Sequence, residues 1–218
     1  NISVCRKRFM KNYIRILFAS LILVWATPSN AEFNFGVGLI AGQVDSDGTE
    51  TEGTAADTSN RSKTFEEAFA GADLFAEYVS DGGYALGVTY IPIDKDVGSG
   101  SRVDSGGIDN GTRTASAELT DMYSIYTNVP LGSGGIYGLL AYNEVSVITT
   151  ESLNVSTYGN KDISGYSVGL GWKGGALKYE LYYTDFEDFS IAASTDADSS
   201  NSVSADIDAM TFRVSYGF

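Results

Sequence analysis

The chain has 218 residues, with 28 Asp+Glu against 14 Lys+Arg, no histidine and a single cysteine, for a net charge of −14. That acidity argues against nucleic acid as a partner. The missing histidine removes the base used by serine–histidine lipases, deacylases and acyltransferases, together with the commonest metal ligand. Cys5 stands near the start, so everything downstream of it lacks both disulfides and thiolate metal sites.

In chain order the first readable element is a secretory signal. Arg6, Lys7, Arg8, Lys11 and Arg15 precede an apolar run from Ile16 to Ala26, and Ser29 and Ala31 supply the small residues of a cleavage site before Glu32. The run is too short to span a bilayer, and no other stretch approaches the roughly 20 apolar residues a transmembrane helix needs. Met10 is the expected start, with residues 1–9 as upstream read-through, and residues 32–218 form one expected domain. Removing residues 1–31 removes five cations and no carboxylate, leaving 9 − 28 = −19.

Helix signals are nearly absent beyond this point. Eight segments with period-two alternation follow, near 33–43, 67–79, 84–92, 115–129, 136–147, 164–173, 176–186 and 207–218. Three connections are short and glycine-bearing, at 80–83, 130–135 and 173–176. The other four, roughly 44–66, 93–114, 148–163 and 187–206, are long and rich in Asp, Ser, Thr, Gly and Asn, and read as polar loops. Short turns at one end, long connections at the other and an even strand count predict an all-β fold, a transmembrane antiparallel up-and-down β-barrel of eight strands.

The faces support this. Phe33, Phe35, Val37 and Leu39 oppose Asn34, Gly36 and Gly38; Tyr84, Leu86, Val88 and Tyr90 oppose Ala85, Gly87 and Thr89. Tyr166, Val168, Leu170 and Trp172 oppose Ser167, Gly169 and Gly171, and Leu177, Tyr179, Leu181 and Tyr183 oppose Lys178, Glu180, Tyr182 and Thr184. One face is greasy and the other small or charged. Phe33, Tyr78, Tyr84, Tyr137, Trp172, Tyr216 and Phe218 sit near the short-turn end, as an interfacial girdle would, so the greasy face is expected to meet lipid. Asp121 falls on that face, which predicts either a bulge or a position beyond the bilayer.

The chain resembles the small eight-stranded outer-membrane proteins of Gram-negative bacteria, among them OmpX, the opacity proteins and the transmembrane part of OmpA. Its most specific match is the last strand, where Phe212, Val214, Tyr216 and Phe218 alternate up to the final residue. The resemblance implies an outer-membrane location, contact with outer-membrane lipid and lipopolysaccharide, and recognition of that strand by the barrel-assembly machinery. Unlike full-length OmpA the sequence stops there, so no peptidoglycan-anchoring role is implied.

Other candidate motifs read as structure. Gly36, Gly38 and Gly42 of "GVGLIAG" share one face and no helix pattern follows, so they are expected to be small lumen-facing residues rather than a phosphate loop. "DSDGTETE" at 45–52 offers oxygen ligands, but Ala56 stands where an EF-hand loop needs Glu, and the stretch reads as a solvated acidic loop. Asn60, Asn110 and Asn154 open Asn-x-Ser/Thr triplets that fit surface positions and carry no glycosylation meaning behind a bacterial signal. Asp73, Glu77, Lys178, Glu180 and Arg213 all fall on polar faces; Arg or Lys at the lipid midplane would cost roughly 2–4 kcal/mol. They are expected to meet inside as an ion-pair core, in a barrel whose interior is about wide enough for its own side chains.

The sequence therefore points to a non-enzymatic structural or cell-surface interaction protein with four long acidic loops, no cofactor or metal, and an unidentified extracellular ligand. The alternative is a narrow pore or small-molecule transporter.

Overall fold

The computed structural model describes residues 32–54, 57–104, 111–152, 158–192 and 202–218. The expected signal peptide lies outside these residues, including Met10 and Ala31 of the expected cleavage site, and so do Ala56, Asn110 and Asn154. Glu32 opens the first strand.

The strands are β1 (Glu32–Thr54), β2 (Asp57–Val79), β3 (Ala85–Asp104), β4 (Gly111–Pro130), β5 (Ile136–Glu151), β6 (Lys161–Gly174), β7 (Leu177–Phe186), β8 (Phe189–Ala192) and β9 (Ser202–Gly217). Neighbours pair antiparallel from β1 to β7, β7 pairs with β9, and β9 returns to β1 from Gly36↔Gly217 to Thr51↔Ser202. The result is a closed eight-stranded barrel. β8 resumes the line of β7 along β9, after a one-residue slip between Asp185↔Asp208 and Phe189↔Ala205. At the short-turn end Gly83 (φ 79°) and Gly175 (φ 65°) take the left-handed conformation that tight turns require and that side chains resist.

The long connections differ from expectation. Residues 44–66 are not a polar loop: β1 and β2 stay in unbroken register from Glu32↔Val79 to Thr54↔Asp57, so the 45–52 acidic stretch lies in β1 and exposed Asn60 in β2. The other hairpins also extend well past the expected boundaries, with β3 and β4 paired up to Asp104↔Gly111. The reason is an inversion of phase. Toward the short turns the apolar side chains point outward, as Leu39, Val168, Leu170 and Phe212 do; toward the long hairpins they point inward, as Val44, Val97, Val147 and Ile207 do. The outside of that half meets water, so its polar composition reflects solvation of one face and period two is kept.

Asp121 sits on a β-bulge. Its φ is 51°, and the β4–β5 register slips between Thr120↔Ser146 and Tyr123↔Glu144. The extra residue switches the inward set from Leu119 to Ser124, Tyr126 and Asn128. Tyr90 Oη donates to Asp121 Oδ1 at 2.7 Å, an ordinary distance for such a bond.

One seam in the wall is incompletely zipped. β2 and β3 pair from Leu74↔Tyr90 to Val79↔Ala85, and beyond Leu74 and Tyr90 the two strands carry no backbone register with each other. Pro92, two residues past Tyr90, has no N–H to offer a ladder. Side chains span the gap instead: Lys95 Nζ lies 2.9 Å from Glu67 Oε1, and Lys63 Nζ donates to the Ser99 carbonyl at 2.6 Å.

Candidate functional site

All five charged residues singled out in the sequence lie in the short-turn half of the lumen and are buried. They arrive from three strands, Asp73 and Glu77 on β2, Lys178 and Glu180 on β7, and Arg213 on β9. Period two alone turns them inward, and the β7–β9 register sets Glu180 opposite Arg213. Arg213 is the hub. Its Nε donates to Asp73 Oδ2 at 2.8 Å and its Nη2 to Asp73 Oδ1 at 2.5 Å, while Nη1 donates to Glu180 Oε2 at 2.7 Å. Lys178 Nζ donates to Glu77 Oε2.

Three carboxylates thus face two cations, and two tyrosines add donors: Tyr126 Oη reaches Glu77 Oε2 at 2.9 Å and Tyr137 Oη reaches Glu180 Oε1 at 2.7 Å. Phe75 separates the cations, its ring centroid lying 4.6 Å from Lys178 Nζ and 4.8 Å from Arg213 Cζ. Both cations meet the negative face of the ring, an attraction that strengthens away from water. Tyr137, expected in the interfacial girdle, is instead this inward carboxylate donor. Ile136 beside it takes the outward position, so the girdle assignment shifts by one residue.

Glycines make room for these groups. A Cβ built on Gly38 would stand 2.1 Å from Asp73 Oδ2 and 2.9 Å from Arg213 Nε, and one on Gly87 would stand 2.4 Å from the Tyr126 ring. The lumen-facing role expected of Gly36, Gly38 and Gly42 is thus steric. Beside the ionic cluster, a chain of hydrogen bonds crosses four strands, from Ser124 to Asn143 at 2.7 Å, Asn143 to Ser167 at 2.7 Å, and Ser167 with Thr184 at 2.8 Å.

The long-hairpin half is filled differently, by a buried apolar cluster that includes Val44, Leu119, Val145, Ile163, Phe186 and Ile207. Above it a vestibule of about 370 Å³ is walled by Val97, Val147, Phe189, Val203 and Ile207, with Lys63 at its edge. Sequence reasoning missed this upper layer. Its signal was present in the inward apolar positions within stretches that looked polar overall.

On the outside, the apolar band is bounded twice. Phe33, Tyr78, Tyr84, Trp172, Tyr216 and Phe218 are exposed toward the short turns. Tyr90, Tyr123, Tyr142, Tyr166 and Tyr183 mark the other boundary, with Tyr90 stacked on Tyr123 at 5.0 Å and Tyr142 edge-on to Tyr166 at 5.5 Å. Just past them, each wall strand carries a carboxylate on its outward side or bulge: Asp45, Glu66, Asp94, Asp121, Glu144, Asp162, Asp185 and Asp208. Two aromatic belts around an apolar band, then charge, is the profile of a bilayer-spanning barrel. Phe212, Tyr216 and Phe218 point out to the lipid face, with Val214 half-buried on the same side, and Phe218 exchanges backbone hydrogen bonds with Phe35 at 2.8 and 3.3 Å.

The outer-membrane protein OprG from Pseudomonas aeruginosa has the same fold, with a TM-score of 0.51 at 10% identity over 87% of this chain and 96% of that one. The chain is a small eight-stranded β-barrel of the outer-membrane type. Two further solved structures match this barrel over most of its length. The attachment invasion locus protein Ail of Yersinia pestis, in complex with the heparin analogue sucrose octasulfate, gives a TM-score of 0.38 at 12% identity over 86% of this chain and 99% of that one. The outer-membrane protease OmpT from Escherichia coli gives 0.47 at 10% identity over 88% and 99%. No family model matches the sequence. No curated protein matches it either.

Proposed function

We propose that the barrel is a closed, non-enzymatic structural and surface-interaction protein of the outer membrane that presents its long acidic hairpins to the outside. The observation that carries this reading is the Arg213–Asp73–Glu180 and Lys178–Glu77 cluster, which fills the lumen with side chains that hold one another. In a barrel of eight strands the interior is about the width of such side chains, so a cluster of this kind leaves no wide aqueous path. On this reading its partners are outer-membrane lipid and lipopolysaccharide around the apolar band, the barrel-assembly machinery acting on the closing strand β9, and an extracellular ligand on the hairpins.

The test is conductance in planar bilayers. The purified barrel should give no steady current steps, and Arg213→Met combined with Asp73→Ala should introduce them by emptying the cluster. Steady steps from the unmodified protein would overturn the closed-barrel reading in favour of a narrow pore.

A further inference from the structure

We propose that the vestibule in the long-hairpin half is a binding site for a small aliphatic carboxylate, its chain against the apolar wall and its head at Lys63. A cavity of about 370 Å³ falls within the range of small-molecule sites. Its wall is unusual for a surface bathed in water: Val97, Val147, Phe189, Val203 and Ile207 line a concavity formed by several strands, where each apolar side chain gains by contact with a ligand that displaces water. Beneath it the packed apolar cluster and then the ionic cluster form a floor, so the cavity is a pocket with a bottom.

The edge supplies the charge. Lys63 stands at the unzipped seam between β2 and β3, exposed, and lines the cavity. An ammonium has three donors. Among the described residues the one hydrogen bond Lys63 makes goes to a neutral acceptor, the Ser99 carbonyl. Its charge is therefore unmatched there. Arg61 and Glu50, opposite each other in the β1–β2 register, also line the cavity and carry opposite charges, so Lys63 leaves the charged edge with one net positive charge suited to a carboxylate head. An apolar body with a single anionic end satisfies both features; a neutral alcohol satisfies the wall alone, and a cationic amphiphile opposes the edge. This inference stands whether or not the barrel conducts, because it concerns the layer above the ionic cluster.

Substituted-cysteine protection tests it, since residues 32–218 contain no cysteine. Ala115 lines the vestibule and is exposed, whereas exposed Thr112 on the same strand does not line it. Ala115→Cys and Thr112→Cys barrels in lipid nanodiscs are reacted with a small maleimide in the presence of octanoate, octanol or octylammonium. Octanoate should slow modification of Ala115→Cys saturably, by about threefold where two-thirds of the sites are filled. It should leave Thr112→Cys unchanged, and octanol and octylammonium should protect less. Adding Lys63→Met should abolish the preference of octanoate over octanol while octanol protection persists, which also shows that the variant is folded. Unprotected Ala115→Cys, equal slowing of both cysteines, or a preference for octanoate that survives Lys63→Met would each overturn the proposal.

Discussion

The guanidinium of Arg213 clasps the carboxylate of Asp73 through two hydrogen bonds, at 2.8 and 2.5 Å, joining residues 140 positions apart in the sequence. Strands β2 and β9 both neighbour β1, and the contact passes across the inner face of β1 at Gly38, the position with no side chain to block it. Fork-to-fork geometry of this kind holds both partners in one orientation, and Glu180 takes the remaining side of the guanidinium.

Replacing Arg213 with Met should therefore be costly. The substitution keeps the volume roughly but leaves Asp73 and Glu180 buried without their cation, a loss of about 3–5 kcal/mol for a broken buried pair. Urea unfolding of the barrel in detergent micelles should show a clearly lower midpoint. An unchanged midpoint would mean that water already solvates these carboxylates.

Gly38 offers a steric version of the same test. With a Cβ 2.1 Å from Asp73 Oδ2, Gly38→Ala must push the carboxylate off Arg213, whereas Gly98→Ala meets nothing within 4 Å. The first should destabilise the barrel by something approaching the loss of the pair, and the second should stay within about 0.5 kcal/mol of the parent. Comparable unfolding midpoints for the two variants would show that the cluster shifts without cost.

Much of this was legible in the sequence, and the reasons are physical. Lipid on one side and a narrow lumen on the other impose strict period two, so the outward run of Phe33, Phe35, Val37 and Leu39 and the inward set of charges declare themselves locally. Two features hid the rest. Where the barrel leaves the membrane the apolar face changes sides, so Val44 and Val97, inside stretches full of Asp, Ser, Thr and Gly, looked like parts of loops. Where register depends on a distant strand, local alternation is silent: the bulge at Asp121 was signalled by a charge in the wrong phase, and the open seam only by Pro92.

The outward belts fix how the barrel sits in lipid, and this too is measurable. Leu170 is exposed between Trp172 and Tyr166 on β6, well inside the apolar band, while Asp162 lies past the second belt on the same strand. Leu170→Arg should cost roughly 2–4 kcal/mol and Asp162→Arg about 0–1 kcal/mol in reversible unfolding from lipid vesicles. Equal costs at both positions would move the membrane boundary away from Tyr166.

The seam between β2 and β3 makes the last prediction. Above Leu74 and Tyr90 the wall there is held by side chains, and the Lys95–Glu67 bridge is half-exposed, with side-chain accessibilities of 27% and 40%. A bridge so placed contributes about 0–1 kcal/mol to global stability, because solvent screens it and ordering two long side chains costs entropy. Its effect should instead be local. Lys95→Met should leave the unfolding midpoint nearly unchanged, yet raise amide hydrogen exchange at 63–72 of β2 and 91–97 of β3. The continuous β1–β9 ladder, paired from Gly36 to Thr51, should keep its protection and serve as the internal reference. Unchanged exchange on both sides of the seam would show that packing of Phe69 and Val97 against the buried apolar cluster, rather than the bridge, holds those strands side by side.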